Sequence, residues 1–159
     1  MSRGISEVNR FVTLFDLLGE LARRRYQTGE RFFSALGLNH TEARLLTLLG
    51  QEDGVAAQEA LSNRLSVDRS NAGRALQRLE RDGYILRRKD HADKRANSVE
   101  ITAKGRKAVV EIAKLRKKMA QGFFGELTED EAGTVVELLK KALTNEQRET
   151  HSEAPGAAS

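Results

Sequence analysis

The sequence of 159 residues contains no cysteine. Disulfide bonds, cysteine catalysis, thiol-based redox sensing and cysteine-containing metal sites are therefore excluded. The three histidines, His40, His91 and His151, lie far apart in the sequence and lack the spacing of a zinc site. We therefore expect neither a bound metal ion nor a cofactor.

Long apolar runs are missing as well. None approaches the roughly 20 residues that a helix needs to span a bilayer, and the N-terminus lacks the short apolar core of a signal peptide. We therefore expect a cytoplasmic protein that does not associate with membranes. Aromatic residues are few, with six Phe, two Tyr and no Trp, so the sequence does not single out a pocket for an aromatic ligand.

Positive charge is present, and it is concentrated in about a quarter of the chain. The whole sequence has 27 Lys and Arg against 23 Asp and Glu, a net charge of +4. Between Asp68 and Lys107 the counts are 12 and 6, a local excess of +6, which leaves −2 for the rest. A basic segment of this kind attracts the phosphates of nucleic acid. The alternative interpretation is a solvated charged face.

The beginning of the chain has the pattern of a long amphipathic helix. Apolar residues, among them Phe11, Phe15 and Leu18, recur every three or four positions from Ser6 to about Ser34. Such a helix packs on its own core, or it packs against a second chain because it is too long for a small globule to cover.

A capping box predicts where the second helix begins. Asn39 and Glu42 have the spacing at which each side chain binds the backbone N–H of the other, and Gly54 is expected to close this helix. A short third helix is expected over residues 57–65, although no Ser, Thr, Asp or Asn stands at its start.

The next segment predicts a fourth helix followed by a hairpin. Asp68 is expected to cap a helix that runs to Asp82, and Gly83 supplies the left-handed residue that ends it. Residues 84–89 and 98–102 are expected to form two short strands, because apolar and polar residues alternate in the second of them. The polar, charged turn between them suits a hairpin tip.

Two further helices complete the pattern. Thr102 is expected to cap a fifth helix over residues 103–125, and a second capping box, Thr128 with Glu131, opens a sixth. The elements predict a mainly α-helical winged helix-turn-helix fold with about six helices and a two-stranded wing. The predicted regions are an N-terminal dimerisation helix, a winged DNA-binding region, C-terminal dimerisation helices and a disordered tail, at residues 6–36, 37–102, 103–145 and 146–159.

The fourth helix has the features of a DNA recognition helix. One side is an apolar stripe, and the other is rich in arginine and amide side chains. Arginine can bind a guanine edge with two hydrogen bonds, and asparagine or glutamine can bind adenine in the same way. Glycine weakens a helix, so Gly73 either lets the backbone approach DNA closely or marks a tolerant position. The candidate DNA-binding residues of this helix are Arg69, Ser70, Asn71, Gly73, Arg74, Gln77 and Arg78.

The hairpin is a candidate wing. Arg88 and Lys89 lie on the approach strand, and Asp93, Lys94 and Arg95 lie at the tip. Arginine on a narrow wing suits the negative potential of a narrow minor groove, and Asp93 is expected to orient Arg95 through a charge-assisted hydrogen bond. The alternative is a solvated loop with a chance run of basic residues.

These residues resemble the multiple antibiotic resistance regulator (MarR) family. The resemblance rests on Leu79–Tyr84 (LERDGY) at the end of the fourth helix, Asp93–Arg95 (DKR) in the wing and Ile101–Gly105 (ITAKG) after it. It extends to the helix starts at Leu38–Glu42 and Leu127–Thr128, and so covers roughly residues 10 to 143. No single motif is specific, but their order and spacing together are.

The resemblance implies a dimer whose first and last helices interleave, with two winged domains splayed below. It also implies a regulator that usually represses genes, and in many cases releases DNA when a small aromatic or phenolic effector binds between the dimer and DNA-binding parts. The residues expected to form the dimer contacts are Phe11, Phe15, Leu18, Leu115, Met119, Leu138, Leu139 and Leu143.

Three classes of function compete. An enzyme would need a converging set of nucleophile, base or metal ligands, and none has usable spacing. A purely helical interaction protein accounts for the long helices but not for the basic hairpin. A homodimeric regulator that binds double-stranded DNA accounts for both. Within that class, the alternative to a ligand-released repressor is a ligand-independent regulator or an activator of the same fold.

Overall fold

The computed structural model describes residues 6–65, 69–89 and 97–149. The chain divides into two compact units, Met1–Ala120 and Gln121–Ser159. The six helices among the described residues are α1 (Ser6–Phe33), α2 (His40–Gln51), α3 (Gln58–Leu65), α4 (Arg69–Arg81), α5 (Ala103–Phe123) and α6 (Glu129–Glu149). The strands are β1 (Val55–Ala57), β2 (Ile85–Lys89) and β3 (Asn97–Ile101).

Both expected capping boxes are present. The side chain of Asn39 accepts a hydrogen bond from the backbone N–H of Glu42 at 2.8 Å, and the carboxylate of Glu42 accepts from the N–H of Asn39 at 3.0 Å. At the start of α6, Thr128 and Glu131 form the same reciprocal pair, at 3.2 and 2.9 Å. The two boxes fix where α2 and α6 begin, since they satisfy N–H groups that have no partner within the helix.

The sheet has three antiparallel strands in the order β1-β3-β2. The two expected wing strands are β2 and β3, and β1 is a third strand that was not predicted, in which Val55 pairs with Glu100 and Ala57 with Ser98. The third helix therefore begins at Gln58, after β1. The backbone of β1 pairs with the edge of β3 that faces away from β2, and α3 follows directly after it.

The end of α4 is hydrogen-bonded to the start of α5. Gly83 has a φ of 82°, the left-handed conformation that ends α4 as expected. The hydroxyl of Thr102 donates to the carbonyl of Gly83 at 2.7 Å and accepts from the N–H of Gly105 at 3.1 Å, so it caps α5 and holds its start against the end of α4. A side chain at Gly105 would overlap the carbonyl oxygen of Tyr84. This close approach explains the glycine of the ITAKG motif.

The core of the first unit lies where α2, α3, α4 and the sheet meet. The apolar stripe of α4 is fully buried, which confirms the face that helical periodicity predicts. The most buried side chains of this core are Ala43, Leu45, Leu46, Leu49, Leu61, Ala72, Ala75, Leu76, Leu79, Ile85, Val99 and Ile112.

The helix α6 continues to Glu149, past the position near Glu146 where the sequence predicts a disordered tail. Residues 150–159 lie outside the described part of the chain, and the four expected regions remain predictions. Among the described helices, none is long and apolar enough to cross a membrane. The described residues also contain no group of three or more histidine or acidic side chains that could hold a metal ion.

Candidate nucleic-acid interface

The helix α4 presents a polar face opposite its buried stripe. Ala72, Ala75, Leu76 and Leu79 are at most 1% exposed, and they fix the rotation of the helix about its axis. On the outer side Asn71, Arg74 and Gln77 are all exposed. The side chains of Arg69 and Ser70 lie outside the described part of the structure. The face is therefore built as expected for a helix that enters a DNA groove.

Two polar side chains of α4 remain available to a ligand. Within the described residues, neither Arg74 nor Gln77 forms an ion pair or a side-chain hydrogen bond. Gly73 lies on the same outer side, and a Cβ atom there would meet no described atom within 4 Å. Internal packing therefore does not require a glycine at this position.

Two further arginines of α4 have acidic partners. Arg78 Nε lies 3.0 Å from the carboxylate of Glu42, and Arg81 Nε lies 3.0 Å from that of Asp82. Hydrogen bonding and charge attraction by Arg81 hold the pKa of the Asp82 carboxyl below its usual value. Arg78 is one of the DNA contacts predicted from the sequence, which does not indicate its partner Glu42.

The strand β2 of the hairpin also carries positive charge, which acidic side chains partly neutralise. Arg87 pairs with Glu80 of α4, and Arg88 lies 3.6 Å from Glu100 of the neighbouring strand. Lys89 is exposed at the end of β2. The hairpin tip, with Asp93, Lys94 and Arg95, lies outside the described residues, and so does the expected bond between Asp93 and Arg95.

Large apolar side chains are exposed on α1. Phe11 and Phe15 are 78% and 77% exposed, and Leu18 is 40% exposed. In the second unit, Leu138, Leu139 and Leu143 of α6 are exposed as well. Leu115 and Met119 of α5 also belong to the expected dimer residues, but they are partly buried against the core of their own chain.

A cavity of about 120 Å³ lies between α1, α2 and α5 within the first unit. Three arginines from these helices line it, namely Arg25, Arg44 and Arg116. Burial, followed by repulsion from the other two arginines, lowers the pKa of Arg44. The apolar part of the lining includes Phe33, Ile112 and Met119.

Comparison with known proteins relates the chain to transcriptional regulators. The MarR family pattern matches residues 38–96. The transcriptional regulator YkoM of Bacillus subtilis is 29% identical over 142 residues, which are 89% of this chain and 91% of that protein. The repressor YetL of the same organism is 30% identical over 97 residues, 60% of this chain and 56% of YetL. A crystal structure of mutant MarR from Escherichia coli, complexed with operator DNA, is 25% identical and has a TM-score of 0.73, covering 87% of this chain and 99% of that one.

The chain contains a region at residues 38–96 that matches the MarR family, and its fold is that of MarR structures. It is a DNA-binding transcriptional regulator with a winged helix fold. These findings agree with the family and confirm the fold that the motifs indicate, whereas the individual DNA-contact and dimer residues remain predictions.

Two features of the folded chain could not be predicted from the sequence. The cavity arginines lie at positions 25, 44 and 116, and no local pattern connects them. The pair of Glu42 and Arg78 also joins separate helices. The sequence contains one signal for this pair. Helical periodicity places Glu42 beside the buried Ala43 and Leu46, and a buried carboxylate needs a positive partner.

Proposed function

We propose that the chain is a homodimeric repressor that binds a pseudo-palindromic operator and releases it when a small aromatic acid binds. The observation that carries this proposal is the outer face of α4, where Arg74 and Gln77 are exposed and without a described partner. Side chains of these types make bidentate contacts with guanine and adenine edges. The wing would add contacts through Lys89 and through Lys94 and Arg95 at its tip.

The dimer is supported by exposed apolar surface. A soluble monomer rarely exposes several large apolar side chains on one helix, yet Phe11, Phe15 and Leu18 do so on α1. The exposed Leu138 and Leu143 of α6 point to the same conclusion by themselves. A symmetric dimer repeats the recognition helix about a twofold axis. The operator is therefore expected to be a pseudo-palindrome.

The chemistry of the effector is suggested by the cavity between α1, α2 and α5. Arginine does not lose its proton in proteins, and no carboxylate lines this cavity among the described residues. An anion would therefore relieve the repulsion among Arg25, Arg44 and Arg116. The cavity is somewhat smaller than an engineered cavity of ~150 Å³ that binds benzene, so a single ring is the upper size. We infer that the effector is a small aromatic acid, in preference to a neutral phenol.

The sign of regulation follows from the relatives only by analogy. YetL is named as a repressor, and the proposal transfers that role to this chain. An activator or a ligand-independent regulator of the same fold is the alternative, and no feature of the described residues favours it.

Footprinting with the full chain tests the operator and the dimer together. We expect two protected half-sites whose centres are about 10–11 base pairs apart, or a multiple of that spacing. A single unpaired footprint would contradict the symmetric dimer. The affinity should also fall steeply with salt, because phosphate contacts release counterions.

The effector is tested on labelled operator DNA with a panel of small aromatic acids, each paired with its neutral amide. We expect at least one acid to release the DNA and its amide to have little effect. The Arg44→Met variant should bind operator as the parent does but should no longer respond to that acid. Failure of every acid to release DNA would favour the ligand-independent alternative.

A further inference from the structure

The carboxylate of Glu42 is buried and has three bonding partners. Glu42 is 6% exposed and lies in the first turn of α2. Its oxygens accept hydrogen bonds from the backbone N–H and the side-chain Nδ2 of Asn39, at 3.0 and 3.2 Å. The third partner is Arg78 of α4, whose Nε lies 3.0 Å away. Glu42 thus joins the start of one helix to the outer side of another.

A buried carboxylate is unfavourable unless a positive group compensates it. Among the described residues, Arg78 is the one cation within ion-pair distance of Glu42. If Arg78 turned outward to bind DNA, the buried carboxylate of Glu42 would lose its ion-pair partner and keep its two hydrogen bonds from Asn39. The ion pair therefore restrains Arg78 to the position that the structure shows.

The restraint acts close to the residues that face DNA. Arg78 follows Gln77 directly and lies one helical turn after Arg74. A change in the rotation or tilt of α4 at Arg78 would move both side chains relative to the base edges. The apolar stripe holds α4 from its buried side, and the ion pair with Glu42 holds it from its exposed side.

We propose that Arg78 is a positioning residue, which holds α4 against α2 through Glu42 and thereby sets the direction of Arg74 and Gln77. This inference rests on the proposal that α4 reads base edges. It replaces the expectation that Arg78 itself contacts DNA. The side chain of Arg78 is 48% exposed, so a direct phosphate contact is the competing explanation.

The two explanations predict opposite results for Glu42→Gln. Glutamine also serves at this position of a capping box, so the substitution removes the charge and keeps the cap. If Arg78 positions α4, operator affinity should fall about tenfold, within the range of coupling energies between contacting residues. If Arg78 contacts DNA, the substitution frees it and removes a negative charge, so the affinity should rise. Unchanged affinity would also overturn the proposal.

The chain offers a matched control for this substitution. Glu131 occupies the equivalent position in the capping box of α6, where it is exposed and bonds with Thr128. Among the described residues it has no cationic partner within ion-pair distance. Glu131→Gln should therefore leave operator affinity unchanged, which separates the loss of the Arg78 partner from the general effect of a glutamine in a cap.

A second variant decides the question without Glu42. Arg78→Met keeps much of the apolar stem and removes the charge. A positioning role predicts weaker operator binding with an unchanged slope of log affinity against log salt, whereas loss of a phosphate contact lowers the slope by about one. The double variant with Glu42→Gln should bind no more weakly than the weaker single variant. If Glu42→Gln does not fold, the salt slope of Arg78→Met alone decides.

The outcome also separates this inference from the proposed function. If α4 did not read bases, the parent chain would bind operator and random duplexes equally. If only the role of Arg78 were wrong, the parent would keep its preference for operator, and Glu42→Gln would bind it as tightly as the parent or more tightly.

Discussion

The imidazole of His40 packs directly against the backbone of Gly29. It lies on the α1 surface between Tyr26 and Phe33, with ring-centroid distances of 5.2 and 6.4 Å. A Cβ atom at position 29 would overlap Nδ1 of His40. The backbone N–H of His40 also donates to Glu30 at 2.8 Å. These contacts fasten the start of α2, and with it Glu42, to the C-terminal part of α1.

Gly29→Ala is expected to destabilise the protein. The new methyl group must displace a packed imidazole, and overpacking typically lowers stability by ~1–3 kcal/mol. Alanine returns up to ~1 kcal/mol of helix propensity, so we expect a net loss of about 1–2 kcal/mol. Urea unfolding at a fixed protein concentration measures it. The control is Gly133→Ala in α6, where no described atom lies within 4 Å and where alanine should stabilise. Equal stabilisation by both substitutions would contradict the packing described here.

The stability of the protein should fall in mild acid because of His40. Burial, and then the charges of Arg44 and Arg25, lower the pKa of this imidazole, while Glu30 opposes the shift. The folded state therefore favours the neutral form, whereas the unfolded chain takes up a proton near pH 6.5, at about the ordinary histidine pKa. The stabilisation is complete above that pH and is lost as the pH falls through the lower pKa of the folded state.

Unfolding experiments between about pH 7.5 and about pH 5.5 measure this dependence. We expect the free energy of unfolding to fall over that interval, and His40→Gln to reduce the fall even if it lowers stability at neutral pH. Gly133→Ala should keep the pH dependence of the parent. An identical pH dependence in His40→Gln and the parent would show that another group is responsible.

Leu143→Glu is expected to weaken the dimer. Leu143 is 64% exposed on α6, and a carboxylate in an apolar interface would be desolvated without a partner. Sedimentation equilibrium should show dissociation at concentrations at which the parent is a dimer. Lys141→Glu changes the charge on the same helix and should leave the dimer intact. Removal of residues after Glu146 should also preserve it. A dimer that tolerates Leu143→Glu would place the interface elsewhere.

The sequence predicted the parts of the fold that local pattern determines. The buried stripe of α4, including Ala72 and Leu76, follows from helical periodicity, and the cap at Asn39 follows from residues three positions apart. The strand β1 was missed because three residues carry no alternation, and their conformation depends on pairing with β3. The partner of Arg78 was missed for a similar reason, since the contact joins separate helices.

The sequence predicted which residue types form the candidate site, but it did not predict the ion pairs among them. The exposed side chains of α4 are those that the sequence indicates, including Arg74 and Gln77. The ion pairs around them form only in the folded chain, between Glu42 and Arg78 and between Glu80 and Arg87. The cavity arginines show the same limit, because three distant segments supply them.

Binding of Arg74→Ala to operator and to random duplexes tests the central claim most directly, namely that α4 reads base edges. We expect the substitution to weaken operator binding by ~1–3 kcal/mol and to relax the base preference at one position of each half-site. Arg81→Ala, which removes an arginine paired with Asp82 in the last turn of the same helix, should leave the preference unchanged. The account predicts that Arg74→Ala lowers the ratio of operator to random affinity; an equal loss on both duplexes would contradict it.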